Sequence, residues 1–122
     1  MADKYIEYRY AWTSDANGAY TLVIPTHHIM GILSRVRTIP GTGTDAPSAA
    51  YDVTLVDKDG VDLFFGYGLN RSATVTEDFV PVIPQAVGST GLVTVAVAGP
   101  VTLTIANAGA LNTGTVVIIV EK

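Results

Sequence analysis

Cysteine is absent from the chain, so neither a disulfide nor a thiolate metal site is available, and the fold must rest on packing alone. Charge is scarce as well. Lys, Arg, Asp and Glu make up 15% of the 122 residues, against roughly 25% in ordinary soluble domains. From Phe79 to Val120 none of the four occurs. A free monomer keeps charges spread over its surface, so this half of the chain is expected to be covered by neighbouring subunits. There is no excess of positive charge either. Seven basic and 11 acidic side chains leave a net charge of −4, which argues against nucleic acid as a partner. No apolar run approaches the roughly 20 residues of a membrane helix. The opening "MADKYIEYRY" places charged and aromatic residues where a signal peptide carries its apolar segment. Together these absences predict a protein made in the cytoplasm, with no membrane partner. The length fits one domain spanning residues 1–122.

What is present is strand pattern, almost everywhere. "KYIEYRYAWT" alternates and is rich in aromatics, which suit a pleated, half-buried surface. Asn17-Gly18 then signals a tight turn, since both residues accept positive φ. "AYTLVIP" is the return strand. "GILSRVRTIP" places Ile32, Ser34, Val36 and Thr38 on one face and Leu33, Arg35, Arg37 and Ile39 on the other. "GTGTDAPSAA" is a loop by composition. Further strands are expected in "SATVTEDFVPVIP", "LVTVAVA", "PVTLTIANAG" and "TGTVVIIVEK". Val93, Val95 and Val97 share a face, as do Val101, Leu103 and Ile105, with a turn at Gly99-Pro100 between the two sets. No helical period is sustained; "PTHHIMGIL" has room for one short helical turn. Short strands punctuated by Gly, Pro, Asn and Asp predict an all-β, antiparallel sandwich of jelly-roll or Ig-like kind. Val116 to Val120 is apolar on both faces, so that strand should be central or sealed by a partner.

The stretch "YDVTLVDKDGVDLFFGYGLNRS", Tyr51 to Ser72, holds three closely spaced aspartates at Asp57, Asp59 and Asp62. A helix-loop-helix calcium site needs a glycine sixth and a glutamate twelfth. Counted from Asp57, the glycine is fourth (Gly60) and the twelfth residue is Gly68. The pattern fails twice. The stretch reads instead as a β-hairpin, with Asp57 capping the turn, Gly60 in the left-handed position and Asp62 facing solvent. No other constellation carries chemistry. His27 and His28 are adjacent, and on a strand they would point to opposite faces. No serine sits in G-x-S-x-G. "GTGTDA" and "GYGLNR" start like phosphate loops but lack the third glycine and precede no helix. Glu77 and Asp78 do not face one another if extended. Arg71 is a solvated loop arginine, or the partner of a carboxylate on another subunit. The reading is of a protein with no catalytic residues, no cofactor and no metal.

Three segments carry a resemblance. "AWTSDANGA", "IPGTGTDAPSAAYDVTLVDKDGVDLFFGYGLNRS" and "GPVTLTIANAGALNTGTVVI" are similar to a group of small virion proteins of tailed bacteriophages. That group shows a W-x-S-D-x-x-G opening, a Y-D-V-T-L-x-D-x-D-G-x-D hairpin followed by G-x-G-x-N-R-S, and a T-L-x-I-x-N-A-G ending. The resemblance runs from Trp12 to Val120 in the same order. It implies a structural protein encoded among head or tail genes. The role expected from it is a capsid decoration or cement protein on the capsid surface of the virion. Such a protein binds the major capsid protein and forms a homo-oligomer, in the first instance a homotrimer. Phe64, Phe65, Arg71, Leu92, Val116 and Ile118 are the residues expected to lose solvent on assembly. The alternative is a receptor- or glycan-binding module of a tail or head fibre, for which Trp12, Tyr67 and Asn70 would form the platform.

Overall fold

A computed structural model describes residues 4–26, 28–84 and 92–122 of the chain. Among these residues ten strands form: β1 (Tyr5–Thr13), β2 (Tyr20–Ile24), β3 (Gly31–Pro40), β4 (Asp52–Asp57), β5 (Glu77–Phe79), β6 (Val82–Pro84), β7 (Leu92–Thr94), β8 (Ala96–Val97), β9 (Val101–Ala106) and β10 (Thr113–Glu121). A single 3-10 turn covers Gly43–Asp45. Every pairing between strands is antiparallel. One sheet runs β1-β10-β3-β5, with β8 on the same free side of β3 as β5; the other runs β2-β9-β4, and β6-β7 form a separate ribbon. The two larger sheets pack as an all-β sandwich.

The core follows from the period of two. Val116, Ile118 and Val120 of β10, with Trp12, Leu33 and Val36 from its neighbours, join Val53, Leu55, Val101, Leu103 and Ile105 of the second sheet in one buried cluster. Each such side chain contributes about 1.5–3 kcal/mol by leaving water. Val117 lies between them in sequence and faces the outer side, yet it too is buried. Its neighbours across the sheet are Arg9 and Arg37, a residue type whose aliphatic stem can cover an apolar neighbour while its charged head stays in water.

The absence of charge from β9 and β10 has its explanation here. β9 is flanked by β2 and β4, and β10 by β1 and β3. The two most apolar strands of the C-terminal half are therefore the central strands of the two sheets. Of the two readings of Val116–Val120, central or sealed by a partner, the chain takes the first.

Two expectations about local structure need correction. The register of β10 against β3 slips between Ile119 and Val120, so that Ile119 pairs with Arg35 and Val120 with Leu33. Ser34 is the extra residue of a bulge, which changes the face of everything before it. Leu33 is consequently buried alongside Val36 and Thr38 rather than beside Arg35 and Arg37. The segment after Pro25 contains one turn, closed by His28 N–H donating to the Pro25 carbonyl at 3.2 Å. The return strand expected after Gly60 shrinks to one bridge, Val56 to Asp62, followed by consecutive turns.

Candidate interaction surface and the loop knot

The reason for the missing return strand is Asp62. Its Oδ1 accepts Leu55 N–H at 3.1 Å and Phe64 N–H at 3.0 Å, and its Oδ2 accepts Gly66 N–H at 3.1 Å. One carboxylate thus takes a ladder position on the edge of β4 and folds the following residues into turns. Asp62 is half-buried, not solvent-facing as the alternation suggested. Asp57 behaves as expected: its Oδ1 accepts Asp59 N–H at 2.9 Å and Val61 N–H at 3.0 Å. Gly60 takes φ +84°, a conformation that costs glycine little. Beyond it the chain seals the outer edge of β4, with Val53 N–H on the Gly68 carbonyl at 2.8 Å and Asp57 N–H on that of Val61 at 2.9 Å.

Residues of the three segments singled out in the sequence converge at one end of the sandwich. Ser14, buried, donates to the Gly109 carbonyl at 2.5 Å and accepts Asn112 N–H at 2.9 Å. Ala108 N–H reaches the Gly18 carbonyl at 3.0 Å, and Ser48 N–H reaches that of Ala108 at 2.9 Å. Asp15 Oδ1 accepts Asn17 N–H at 2.8 Å and Ala19 N–H at 3.0 Å, closing the first turn. Asp52 accepts Asn70 N–H at 3.0 Å and the Asn107 amide at 2.7 Å, joining the second segment to the third. Trp12 and Tyr51 meet beneath, ring centres 5.6 Å apart. The motif residues therefore form a knot of side-chain-to-backbone bonds, which sequence spacing could not reveal because its partners lie up to 98 residues apart.

Among the described residues four buried polar atoms have no hydrogen-bond partner: Tyr10 OH, Trp12 Nε1, Thr38 Oγ1 and Tyr51 OH. Burial pushes the Tyr10 and Tyr51 phenols above their ordinary pKa; for Tyr51 a weak contact with Thr38, outside ordinary hydrogen-bond geometry, works the other way. Neither hydroxyl has an acid or base within bonding reach.

The expected interface residues fall into four sets. Phe64, Val116 and Ile118 are already fully buried in the single chain, so they have no surface to lose on assembly; their place is the core. Phe65 is half-buried against that core. Arg71 is mostly covered by its own chain rather than solvated. Its guanidinium lies 3.8 Å from Glu77 and 5.3 Å from the centre of the Phe79 ring, and its side chain is 17% exposed. The side chain of Leu92 lies outside the described part of the structure, as does His27. His28 stacks on Tyr8 with ring centres 5.9 Å apart.

The glycan platform is not assembled either, because Trp12 is buried while Tyr67 and Asn70 are exposed. Glu77 accepts Ser72 N–H at 2.7 Å, and Asp78 forms a two-bond pair with Arg37 at 2.7 and 3.0 Å. That pair holds the Asp78 carboxyl below its usual range, chiefly through the hydrogen bond from Arg37. Among the described residues no three His, Asp or Glu side chains gather as metal ligands would. A cleft of about 380 Å³ lies between Asp57, Lys58 and Leu63 on one side and Ala96 to Val101 on the other. Its lining carries two charged residues, Asp57 and Lys58, and no Ser, Thr, Cys or His. Comparison with known families, curated proteins and solved structures gives no match.

Proposed function

We propose that the protein is a structural component of a phage virion, a capsid decoration or cement protein that binds the outer face of the head lattice and stiffens it. The observation that carries this reading is the fate of the motif residues. The carboxylates of Asp15, Asp52, Asp57 and Asp62 and the hydroxyl of Ser14 are all spent on fixing the backbone of their own chain. Residues shared with a group of virion proteins thus serve shape, and a shape-keeping part is what a repeating shell requires. Loops that are tied down in advance present a surface with little ordering cost on binding. Each copy contributes modestly at its lattice site, and a shell repeats that contribution many times. The major capsid protein is the partner in this reading, and copies also associate with one another.

The test is to locate the protein in purified particles by labelled imaging and to prepare particles lacking it. Label over the head, and mutant heads that form but rupture at lower temperature than the wild type, are the expected results. Label confined to the tail tip overturns the reading in favour of an adhesin.

A further inference from the structure

The edges of the two sheets are not treated alike. The outer edge of β4 is sealed by the chain from Val61 to Gly68, and that of β3 is divided between β5 and β8. β1 is different. It is nine residues long, its register with β10 runs unbroken from Tyr5–Glu121 to Thr13–Thr113, and nothing among the described residues pairs with its other side. It carries no proline and no bulge, two of the devices that protect long edges from other chains. Its inward row is left incomplete. Ile6, Tyr8 and Tyr10 pack on the core yet remain only half-buried.

The charges of β1 specify what completes it. In an antiparallel pair, opposite residues share a face, so a strand pairing with its own copy about a two-fold axis must centre on a residue. Centring on Glu7 or on Arg9 sets like charges against each other. Centring on Tyr8 sets Glu7 opposite Arg9 twice, Ile6 opposite Tyr10 twice, Tyr5 opposite Ala11 twice, and Tyr8 opposite itself. The outer face then gains two unlike pairs and the inner face a continuous apolar row. In the single chain Glu7 and Arg9 satisfy one another, at 3.2 Å and in full view of solvent; pairing exchanges this for two contacts across the interface. β2, the other open edge, spans Tyr20–Ile24 and has no charge with which to fix a register.

We propose that β1 is a self-recognition edge: two copies of the chain pair β1 to β1, antiparallel and centred on Tyr8, joining their first sheets into one. The contact is isologous, so it closes at two copies and exposes no further edge of its kind. It does not depend on where the protein sits in a particle, and it makes the basic oligomer a dimer.

Sedimentation of the full purified chain tests it, with Arg9→Glu, Glu7→Arg and the exchange variant carrying both changes. The wild type is expected to be dimeric. Each single reversal turns two unlike pairs into two like pairs and should weaken dimerisation by about tenfold or more. The exchange variant should dimerise again, because it restores both unlike pairs in reversed order. Both side chains are exposed, so dichroism should be the same for all four proteins. Amide exchange at residues 6–10 should slow with protein concentration in the wild type and in the exchange variant only. A wild-type monomer, a trimer, or a dimer indifferent to the single reversals each overturns the proposal. Loss of the capsid role with the dimer intact would overturn only the functional reading above.

Discussion

The indole of Trp12 occupies the space that a side chain at position 114 would fill. A β-carbon built on Gly114 would lie 2.7 Å from Trp12 Cε2 and 2.9 Å from Nε1, and closer still to Cζ2. Strands β1 and β10 carry the two residues opposite one another, and neither backbone can withdraw without breaking the ladder. Gly114→Ala is therefore expected to destabilise the fold by about 1–3 kcal/mol, the usual cost of overpacking. Thermal unfolding should show a loss of several degrees. Combining it with Trp12→Phe should recover part of that loss, and a strictly additive result would show that the two side chains do not compete for space.

Asp62 and Asp59 should behave in opposite ways. Removing the Asp62 carboxylate leaves three backbone N–H groups without their acceptor, so Asp62→Ala is expected to cost about 1–3 kcal/mol. Asp59 is exposed, and Asp59→Ala should stay within about 0.5 kcal/mol of wild type. Urea unfolding of the two variants makes the comparison. Millimolar calcium should leave the melting temperature unchanged, since a ligand that binds only the native state must raise it. A rise abolished by Asp59→Ala would restore the metal loop.

The pair between Arg37 and Asp78 makes a prediction about acid. Hydrogen bonding from Arg37 lowers the folded-state pKa of Asp78 below its unfolded value. Its contribution is then complete above the unfolded pKa, about 3.9, and is lost as pH falls through the folded value. Asp78→Asn should flatten the acid limb of the stability curve below about pH 4 and change stability little at neutral pH, because the pair is substantially solvent-exposed. A large loss at pH 7 would count against this account.

Ile118 separates core from interface. It is fully buried at the centre of β10, so Ile118→Glu should prevent folding, and no cooperative melt should be seen. A folded but dissociated variant would return Ile118 to the surface. Val23, exposed on β2, is the control: Val23→Glu should leave the melting temperature nearly unchanged.

The sequence by itself determined the class of the fold and most of its strands. An apolar period of two assigns β1, β2 and β9, because pleat geometry is local and each residue's neighbours along the strand are known; β10, apolar on both faces, is legible as a strand but not in its inward face. Turn chemistry is equally local, which is why Asp57 and Gly60 were legible. The tertiary structure alone decided which strand lies beside which, and the remaining questions hung on that. β9 and β10 could face a partner or the interior until they were seen at the sheet centres. Leu33 changed face because a bulge is a mismatch between two strands and belongs to neither sequence. Asp62 turned inward because the N–H groups that donate to it, those of Leu55, Phe64 and Gly66, surround it only once the chain has turned back along β4. The open edge at β1 was invisible for the same reason, since an edge is defined by the neighbour that fails to arrive.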